Sequence, residues 1–217
     1  MKKISILGTG IVGNTIGTKL IQLGYQVMMG SRTATNEKAA AWVSANGNNA
    51  SAGTFADAAK YGEIIFNCTK GDVALDVIKL AGIENMDGKT VIDISNPLDF
   101  SKGMPPTLIP ELCNTTSLGE EVQKLIPKAN VVKTLNIVNC EVMVDAKRSG
   151  GDSTMFMCGN NEDAKAAVKK ILVQFGWNDI LDLGDISNSR GTEMLLPIWV
   201  RTYMTLKNGH FAFKIVR

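Results

Sequence analysis

The sequence predicts an α/β fold, a Rossmann-type doubly wound parallel sheet with a small α+β segment at its C-terminal end. Near the start, a short apolar run is followed by a glycine-rich turn and a helical pattern. Apolar strands and amphipathic helices then alternate to about residue 140, as is typical of a parallel sheet, and the pattern changes beyond that point. We therefore predict a Rossmann domain over residues 1–140 and a smaller segment over residues 141–217.

The glycine-rich turn directly follows an apolar strand at residues 4–7. Its pattern is G-x-G-x-x-G, formed by Gly8, Thr9, Gly10, Ile11, Val12 and Gly13. A helical pattern begins at once, with Ile16 and Leu20 on its apolar side. In this arrangement the glycines allow a tight turn and the close approach of a pyrophosphate, while free N–H groups at the helix start face the anion. The pattern predicts a dinucleotide site, and the alternative is a glycine turn in an unrelated α/β protein.

The end of the second strand indicates which dinucleotide is bound. Residues 25–29 are followed by Gly30, Ser31, Arg32 and Thr33, and the first carboxylate is Glu37. An NAD site usually has an acidic residue here, which binds the ribose 2′-hydroxyl. A hydroxyl and a guanidinium suit a 2′-phosphate instead, because Arg offers a planar fork of donors to phosphate oxygens. We therefore predict NADP(H) rather than NAD, with Ser31, Arg32 and Thr33 at the 2′-phosphate.

The following elements continue the alternation of strands and helices. We predict helices over residues 36–45, 54–61 and 73–80, and strands over residues 63–67 and 90–94. Each of these two strands runs into a polar loop, Cys68-Thr69-Lys70 and Ser95-Asn96-Pro97 respectively. Ligands of open α/β sheets lie beyond the carboxyl ends of the strands, so we expect both loops to face the dinucleotide. The alternative is plain turn chemistry, which Asn-Pro supports with or without a ligand.

The remaining elements are less regular. Residues 99–114 read as an irregular loop, a lid or a long connection, before a predicted helix over 117–126 and a strand over 130–138. The pattern then gives strands at 153–158 and 180–183, and helices at 162–175 and 189–207. The last helix is apolar on both sides, so something must bury it. A small second domain or a partner subunit would bury it. We favour the interface of a homodimer, and the alternative is burial in the protein's own core.

Composition and charge exclude several classes of function. A net charge of +2 without a run of Lys or Arg does not indicate a nucleic-acid partner. The four cysteines are widely spaced and there is one histidine, so we expect no metal site. No stretch approaches the about 20 apolar residues that a membrane span needs. Glycines interrupt the apolar run after Lys2 and Lys3, so we expect no signal peptide and a cytoplasmic location.

Isolated charged residues have ordinary structural explanations. We expect His210 to lie at a helix end or on the surface, and Lys133, at a strand end, to be solvated. Arg190 and Glu193 stand three residues apart on the last helix, so we expect them to pair with each other.

Four segments together resemble one known family: residues 8–13, 30–32, 131–136 and 185–190. The chain resembles the NADPH-dependent F420 reductases and the related coenzyme F420-dependent NADP oxidoreductase-like proteins. It is also similar to the cytosolic oxidoreductase portion of the STEAP metalloreductases, and the resemblance covers nearly the whole chain.

The resemblance implies hydride transfer between the nicotinamide and a small-molecule acceptor, a deazaflavin (F420) or a flavin. It implies that residues 8–13 hold the pyrophosphate, that Thr69 and Asn96-Pro97 flank the ribose and nicotinamide, and that Asn136 lines the far side of the cleft. Because such a transfer depends on stacking two rings, no catalytic side chain is assigned. A reductase of a small C=N or C=O substrate and a non-catalytic NADP-binding sensor are the alternatives.

Overall fold

A computed structural model describes residues 2–217 of the chain. Its strands are β1 (Lys3–Leu7), β2 (Gln26–Ser31), β3 (Ala50–Thr54), β4 (Ile64–Asn67), β5 (Thr90–Asp93), β6 (Leu98–Asp99), β7 (Thr107–Leu108), β8 (Asn130–Thr134), β9 (Thr154–Gly159) and β10 (Asp179–Asp182). Its α-helices are α1 (Ile11–Gln22), α2 (Glu37–Asn46), α3 (Phe55–Tyr61), α4 (Ala74–Ala81), α5 (Leu118–Leu125), α6 (Cys140–Val144), α7 (Glu162–Gln174), α8 (Ser189–Met194) and α9 (Leu196–Leu206). A mostly parallel sheet flanked by helices confirms the predicted Rossmann-like α/β fold.

The order of the strands places a crevice at the ends of β1 and β4. The main sheet runs β10-β9-β8-β5-β4-β1-β2-β3. The chain moves from β1 to one side through β2 and β3, and then returns to the other side through β4 and β5. Ligands of open α/β sheets bind outside the carboxyl ends of the strands at such a switch of direction. The topology therefore points to the loops after β1, β4 and β5 as the candidate site.

The strand register lines up residues at or next to the ends of five strands in one row. Leu7 pairs with Gly30 on one side and with Asn67 on the other. Asn67 is opposite Asp93, which is opposite Lys133. Polar side chains from three adjacent strands are therefore brought together below the crevice, although they are far apart in sequence.

The C-terminal part of the chain extends the same sheet. β8 and β9 pair antiparallel, whereas β9 and β10 pair parallel, so one antiparallel junction interrupts an otherwise parallel sheet. Both C-terminal strands belong to the main sheet, so the sheet does not mark a boundary near residue 140. The predicted division at that residue remains a prediction.

Three local expectations are corrected by the structure. β3 is a strand that the sequence pattern did not indicate, because its Ala, Ser and Gly residues have low strand propensity. Residues 99–114 are not wholly irregular, since β6 and β7 form a short antiparallel pair. The predicted helix over 189–207 is two helices that meet at Leu195, because Pro197 has no N–H to continue the hydrogen-bond ladder.

Apolar side chains are buried on both faces of the sheet. One buried cluster includes Ile4, Ile6 and Trp42, and the other includes Leu7 and Ile65. The Trp42 ring on α2 lies so close to α1 that a Cβ at Gly17 would come within 2.8 Å of it. This close packing fixes α1 and α2 around the glycine-rich turn.

Two further features concern membrane crossing and the cysteines. No helix in residues 2–217 combines the length and apolarity needed to cross a membrane. The four cysteines are free thiols.

Candidate functional site

The glycine-rich turn has the geometry of an anion site. A Cβ at Gly13 would overlap the carbonyl oxygen of Gly8, and Gly8 itself has a φ of +118°, so both positions require glycine. In contrast, a Cβ at Gly10 would meet nothing within 4 Å. Gly10 is the N-cap of α1, no side chain caps this helix, and its first turn has no acidic residue. The free N–H groups of the helix start and the open space beside Gly10 therefore fit a pyrophosphate.

A cationic side chain, that of Arg32, is exposed at the end of β2. Ser31 is buried, and its hydroxyl donates to the carbonyl oxygen of Thr33 at 2.6 Å, so it stabilises the turn. Arg32 and Thr33 are exposed. The guanidinium of Arg32 is therefore the donor fork that the turn offers to a phosphate. Whether these residues bind the 2′-phosphate remains a prediction.

A cleft of about 400 Å³ lies beyond the carboxyl ends of the central strands. Predicted site residues that line it are Ile11, Val12, Cys68, Thr69, Lys70, Ser95, Asn96 and Asn136. A second groove runs between α1 and α2 past Lys38. It is lined by Thr9 and Gly10, which do not line the cleft, and by Ile11, which lines both. Pro97 does not line the cleft, and its carbonyl accepts the Ile109 N–H at 2.8 Å from the loop after β7.

The far wall of the cleft is apolar, and the sequence analysis did not assign it. Its residues come from the β6 region, α6 and α9: Leu98, Phe100, Val138, Met143, Leu196, Trp199 and Val200. The Trp199 ring stacks on Tyr203 at 5.8 Å and on Phe211 at 5.2 Å between centroids. The Trp199 Nε1 is buried without a hydrogen-bond partner. The apolar character of α9 was the available signal, but only the fold places this helix over the cleft.

A fully buried ion cluster lies beneath the cleft. The Lys133 ammonium is 2.8 Å from the Asp93 carboxylate and 2.7 Å from the Glu193 carboxylate. The expectation that Lys133 is solvated was wrong, because the strand register places it beside Asp93 and the packing of α8 places Glu193 against it. The expected pair of Arg190 with Glu193 was also wrong. Arg190 instead forms two hydrogen bonds to Glu120, at 2.7 and 2.6 Å.

The cluster is stabilised by charge and by a helix N-terminus. Burial alone would lower the pKa of Lys133, but the nearby Asp93 and Glu193 carboxylates outweigh it and hold that pKa above its ordinary value. Burial raises the pKa of Glu193, and Lys133 opposes that rise. The Leu118 and Gly119 N–H groups at the start of α5 each donate to Glu193 at 2.9 Å. Glu193 thereby ties α8 to the Rossmann strands.

Asn136 has a structural role at the edge of the cleft. Its side-chain amide donates to Asn96 Oδ1 at 2.9 Å and to the Thr192 carbonyl at 3.2 Å. Asn96 returns a hydrogen bond to the Asn136 carbonyl at 2.8 Å. The two predicted site residues therefore hold each other, which joins the loops after β5 and β8.

Other reactive side chains offer little nucleophilic or acid–base chemistry. Burial raises the pKa of the Cys68 thiol far above neutral, and burial raises the pKa of Cys158 to about 12. His210 lies outside the cleft lining, half-exposed, with its Nε2 2.7 Å from Glu141, as expected for a surface histidine. No group of three His, Cys, Asp or Glu side chains arranged for a metal ion occurs within residues 2–217.

Comparisons with known proteins identify the family of the chain. The family described as NADP oxidoreductase, coenzyme F420-dependent, matches residues 3–97. A candidate F420-dependent NADP reductase from Arthrobacter sp. FB24, solved as a crystal structure, shares 44% identity over 100% of both chains, with a TM-score of 0.94.

Two further relatives are similar to the chain over most of its length. The F420-dependent NADP reductase of Methanocaldococcus jannaschii is 28% identical over 161 residues, which cover 73% of this chain and 70% of that protein. Metalloreductase STEAP3 of Rattus norvegicus is 27% identical over 91% of this chain. That match spans only 38% of STEAP3, so the chain corresponds to about two fifths of that relative. The chain belongs to the family of coenzyme F420-dependent NADP oxidoreductases.

Proposed function

We propose that the protein is an NADP(H)-dependent oxidoreductase that transfers a hydride between the nicotinamide and a deazaflavin (F420) or flavin-like acceptor. One observation carries the proposal. The cleft has Ile11 and Val12 of the glycine-rich turn at one end and, at the other, an apolar wall that includes Trp199. The family to which the chain belongs supports the same reaction class.

The dinucleotide half of the site is assigned from the geometry of the turn. The free N–H groups of α1 hold the pyrophosphate beside Gly10, and Arg32 holds the 2′-phosphate. Thr69 and Ser95 line the part of the cleft that receives the nicotinamide riboside. When bound, NADPH supplies the hydride. The chain binds and orients it and excludes water.

The acceptor half of the site is assigned from the apolar wall. Apolar side chains on α6 and α9 suit a planar ring and keep water from it. The Trp199 side chain lines this wall and adds aromatic surface that the acceptor ring can contact. Stacking two rings needs no nucleophile, which agrees with the high pKa of the Cys68 thiol in the cleft.

The exposed side of α9 supports a second copy of the chain as partner. Its apolar residues Ile198 and Leu206 are 50% and 57% exposed, and Tyr203 and Met204 lie beside them. We propose a homodimer through this face. Leu206→Glu should shift the mass measured by light scattering from dimer to monomer, whereas a wild-type monomer would contradict the dimer. The cytoplasmic location remains a prediction.

The acceptor is tested by following NADPH oxidation through the loss of reduced-nicotinamide absorbance. The panel contains F420, FMN, FAD, a ferric chelate, and several imines and ketones, each repeated with NADH. We expect turnover with F420 or a flavin and a preference for NADPH. Turnover with imines or ketones alone would support a reductase of small C=N or C=O substrates. Tight NADPH binding without any turnover would support the sensor.

A further inference from the structure

A chain of hydrogen bonds connects the buried ion cluster to the edge of the cleft. Asn67 and Asp93 are adjacent in the sheet register, and neither is exposed. The Asn67 Nδ2 donates to Asp93 Oδ1 at 2.9 Å, and the Ser95 hydroxyl donates to the same oxygen at 2.7 Å. At the other end, the Thr69 hydroxyl donates to Asn67 Oδ1 at 2.7 Å.

The direction of each hydrogen bond follows from the charge of Asp93. The Lys133 ammonium is fully engaged, by the two carboxylates and by the Ser95 carbonyl at 2.5 Å. Asp93 accepts at both of its oxygens, at Oδ2 from the ammonium and at Oδ1 from the Ser95 N–H and hydroxyl. Asn67 must therefore turn its NH2 group towards Asp93, so its carbonyl oxygen faces Thr69.

The hydroxyls of Thr69 and Ser95 therefore both donate their protons to buried protein groups. A hydroxyl has one proton, and the protons of Thr69 and Ser95 are used by Asn67 and Asp93. Within the described residues, no other group donates to either hydroxyl oxygen. Both residues line the cleft, so they meet a ligand there only as hydrogen-bond acceptors.

We propose that the buried Asp93–Lys133 pair sets the hydrogen-bond polarity of the cleft, so that Thr69 and Ser95 accept from an O–H or N–H donor on the nicotinamide riboside half of the dinucleotide. Asn67, Asp93 and Lys133 are positioning residues in this scheme. The inference rests on the proposed binding of NADP(H). It adds that the cleft selects donor groups, either the ribose hydroxyls or the carboxamide NH2.

The test compares three ligands by calorimetric titration. NADP⁺ carries both kinds of donor. Its 3-acetylpyridine analogue has a methyl group in place of the carboxamide NH2 and keeps the ribose hydroxyls. The third ligand, 2′-phosphoadenosine 5′-diphosphate, has neither group and reports only on the adenosine half of the site.

Thr69→Val and Ser95→Ala each remove one acceptor. For each variant we expect the Kd of NADP⁺ to rise about 2- to 12-fold, the effect of one hydrogen bond. The Kd of the adenosine ligand should not change. An equal loss with the acetylpyridine analogue assigns the donor to the ribose, and no loss with that analogue assigns it to the carboxamide. Either result supports the proposal.

Two control variants separate polarity from structure. Thr69→Ser keeps the hydroxyl and should bind NADP⁺ like the wild type. Ser187 donates to Asp185 in the same Ser–Asp arrangement but lies outside the cleft lining, so Ser187→Ala should leave all three affinities unchanged.

Asn67→Ala removes the acceptor of the Thr69 proton, and we expect this variant to weaken the binding of NADP⁺ but not of the adenosine ligand.

The possible failures are distinguishable. If wild-type protein binds the adenosine ligand and NADP⁺ but Thr69→Val and Ser95→Ala bind NADP⁺ within about twofold of it, the polarity proposal is overturned. Equal weakening of the adenosine ligand would also overturn it, because the effect would then be structural. If the wild type binds none of the three ligands, the proposed function itself fails.

Discussion

Replacing Lys133 by methionine tests how much the buried ion cluster contributes to the stability of the folded protein. Lys133 and Asp93 are both fully buried, and Glu193 has a side-chain exposure of 2%. Methionine fills a similar volume but leaves two carboxylates in the interior without a cation. Breaking a buried ion pair by removing one partner costs about 3–5 kcal/mol. Because about 1 kcal/mol shifts Tm by about 2–4 °C in a chain of this size, we expect Tm to fall by about 6–20 °C.

The assay is scanning calorimetry of Lys133→Met against a matched surface variant. Lys79→Met removes a cation from the Asp76 ion pair, which is 3.3 Å long with side chains 59% and 72% exposed. Exposed pairs contribute about 0–1 kcal/mol, so the Tm of this control should change by only a few degrees. If Lys133→Met melted within the range of the control, the reasoning about the cluster would be refuted.

The pH dependence of the stability of Lys133→Met tests whether the charge of Lys133 stabilises the folded protein. The pKa of Lys133 is raised in the folded protein, so its stabilising contribution is complete at neutral pH and is lost as pH rises above the ordinary lysine range. The wild-type Tm should therefore fall at alkaline pH through a step that Lys133→Met lacks. The pKa of Glu193 is also raised, so Glu193 too makes stability fall as pH rises, but in a lower window that begins at the ordinary glutamate range. Acidification should therefore recover part of the stability of Lys133→Met.

The remaining predictions concern the cleft. Arg32→Ala should weaken NADPH binding by about 1–3 kcal/mol, the scale of a charge-assisted hydrogen bond, and leave NADH nearly unchanged; equal loss for both, measured by titration, would contradict the 2′-phosphate role. Gly10→Ala should fold normally, because its Cβ meets nothing within 4 Å, yet bind NADPH at least about tenfold more weakly; unchanged affinity would place the pyrophosphate elsewhere. Gly13→Ala should lower the free energy of unfolding by about 1–3 kcal/mol in urea denaturation, because its Cβ overlaps the Gly8 carbonyl. Trp199→Leu removes the aromatic side chain of the apolar wall, so it should raise the KM for the acceptor about 2- to 12-fold without changing NADPH affinity, and an unchanged KM would refute its role in acceptor binding.

The sequence was sufficient where local chemistry decides the structure. The strand, glycine turn and helix around Gly10 follow from residues next to each other, and so does the replacement of a carboxylate by Arg32. The loops after β4 and β5 were also identified, because a parallel sheet brings strand ends to one edge.

The sequence was insufficient where distant segments decide the environment. In the sequence, Lys133 looks like a solvated residue at a strand end. Only the strand register reveals its carboxylate partner on β5, and only the packing of α8 reveals the second one. Glu193 and Arg190 share a helix, but α5 separates them by offering a helix N-terminus to one and Glu120 to the other. The apolar wall depends on where α9 packs, which no local pattern specifies.

The most direct test of the proposed oxidoreductase uses NADPH deuterated at the nicotinamide C4 and F420 or a flavin as acceptor. Mass spectrometry of the products reports the fate of the deuterium. The proposal predicts that NADPH is oxidised only in the presence of the acceptor and that deuterium leaves one face of the nicotinamide only. Reduced F420 should retain this deuterium on carbon, whereas a reduced flavin carries it on nitrogen and exchanges it with water, so with a flavin the loss is read from the NADP⁺ product. No oxidation of NADPH with F420 or with any flavin, despite tight NADPH binding, would contradict it.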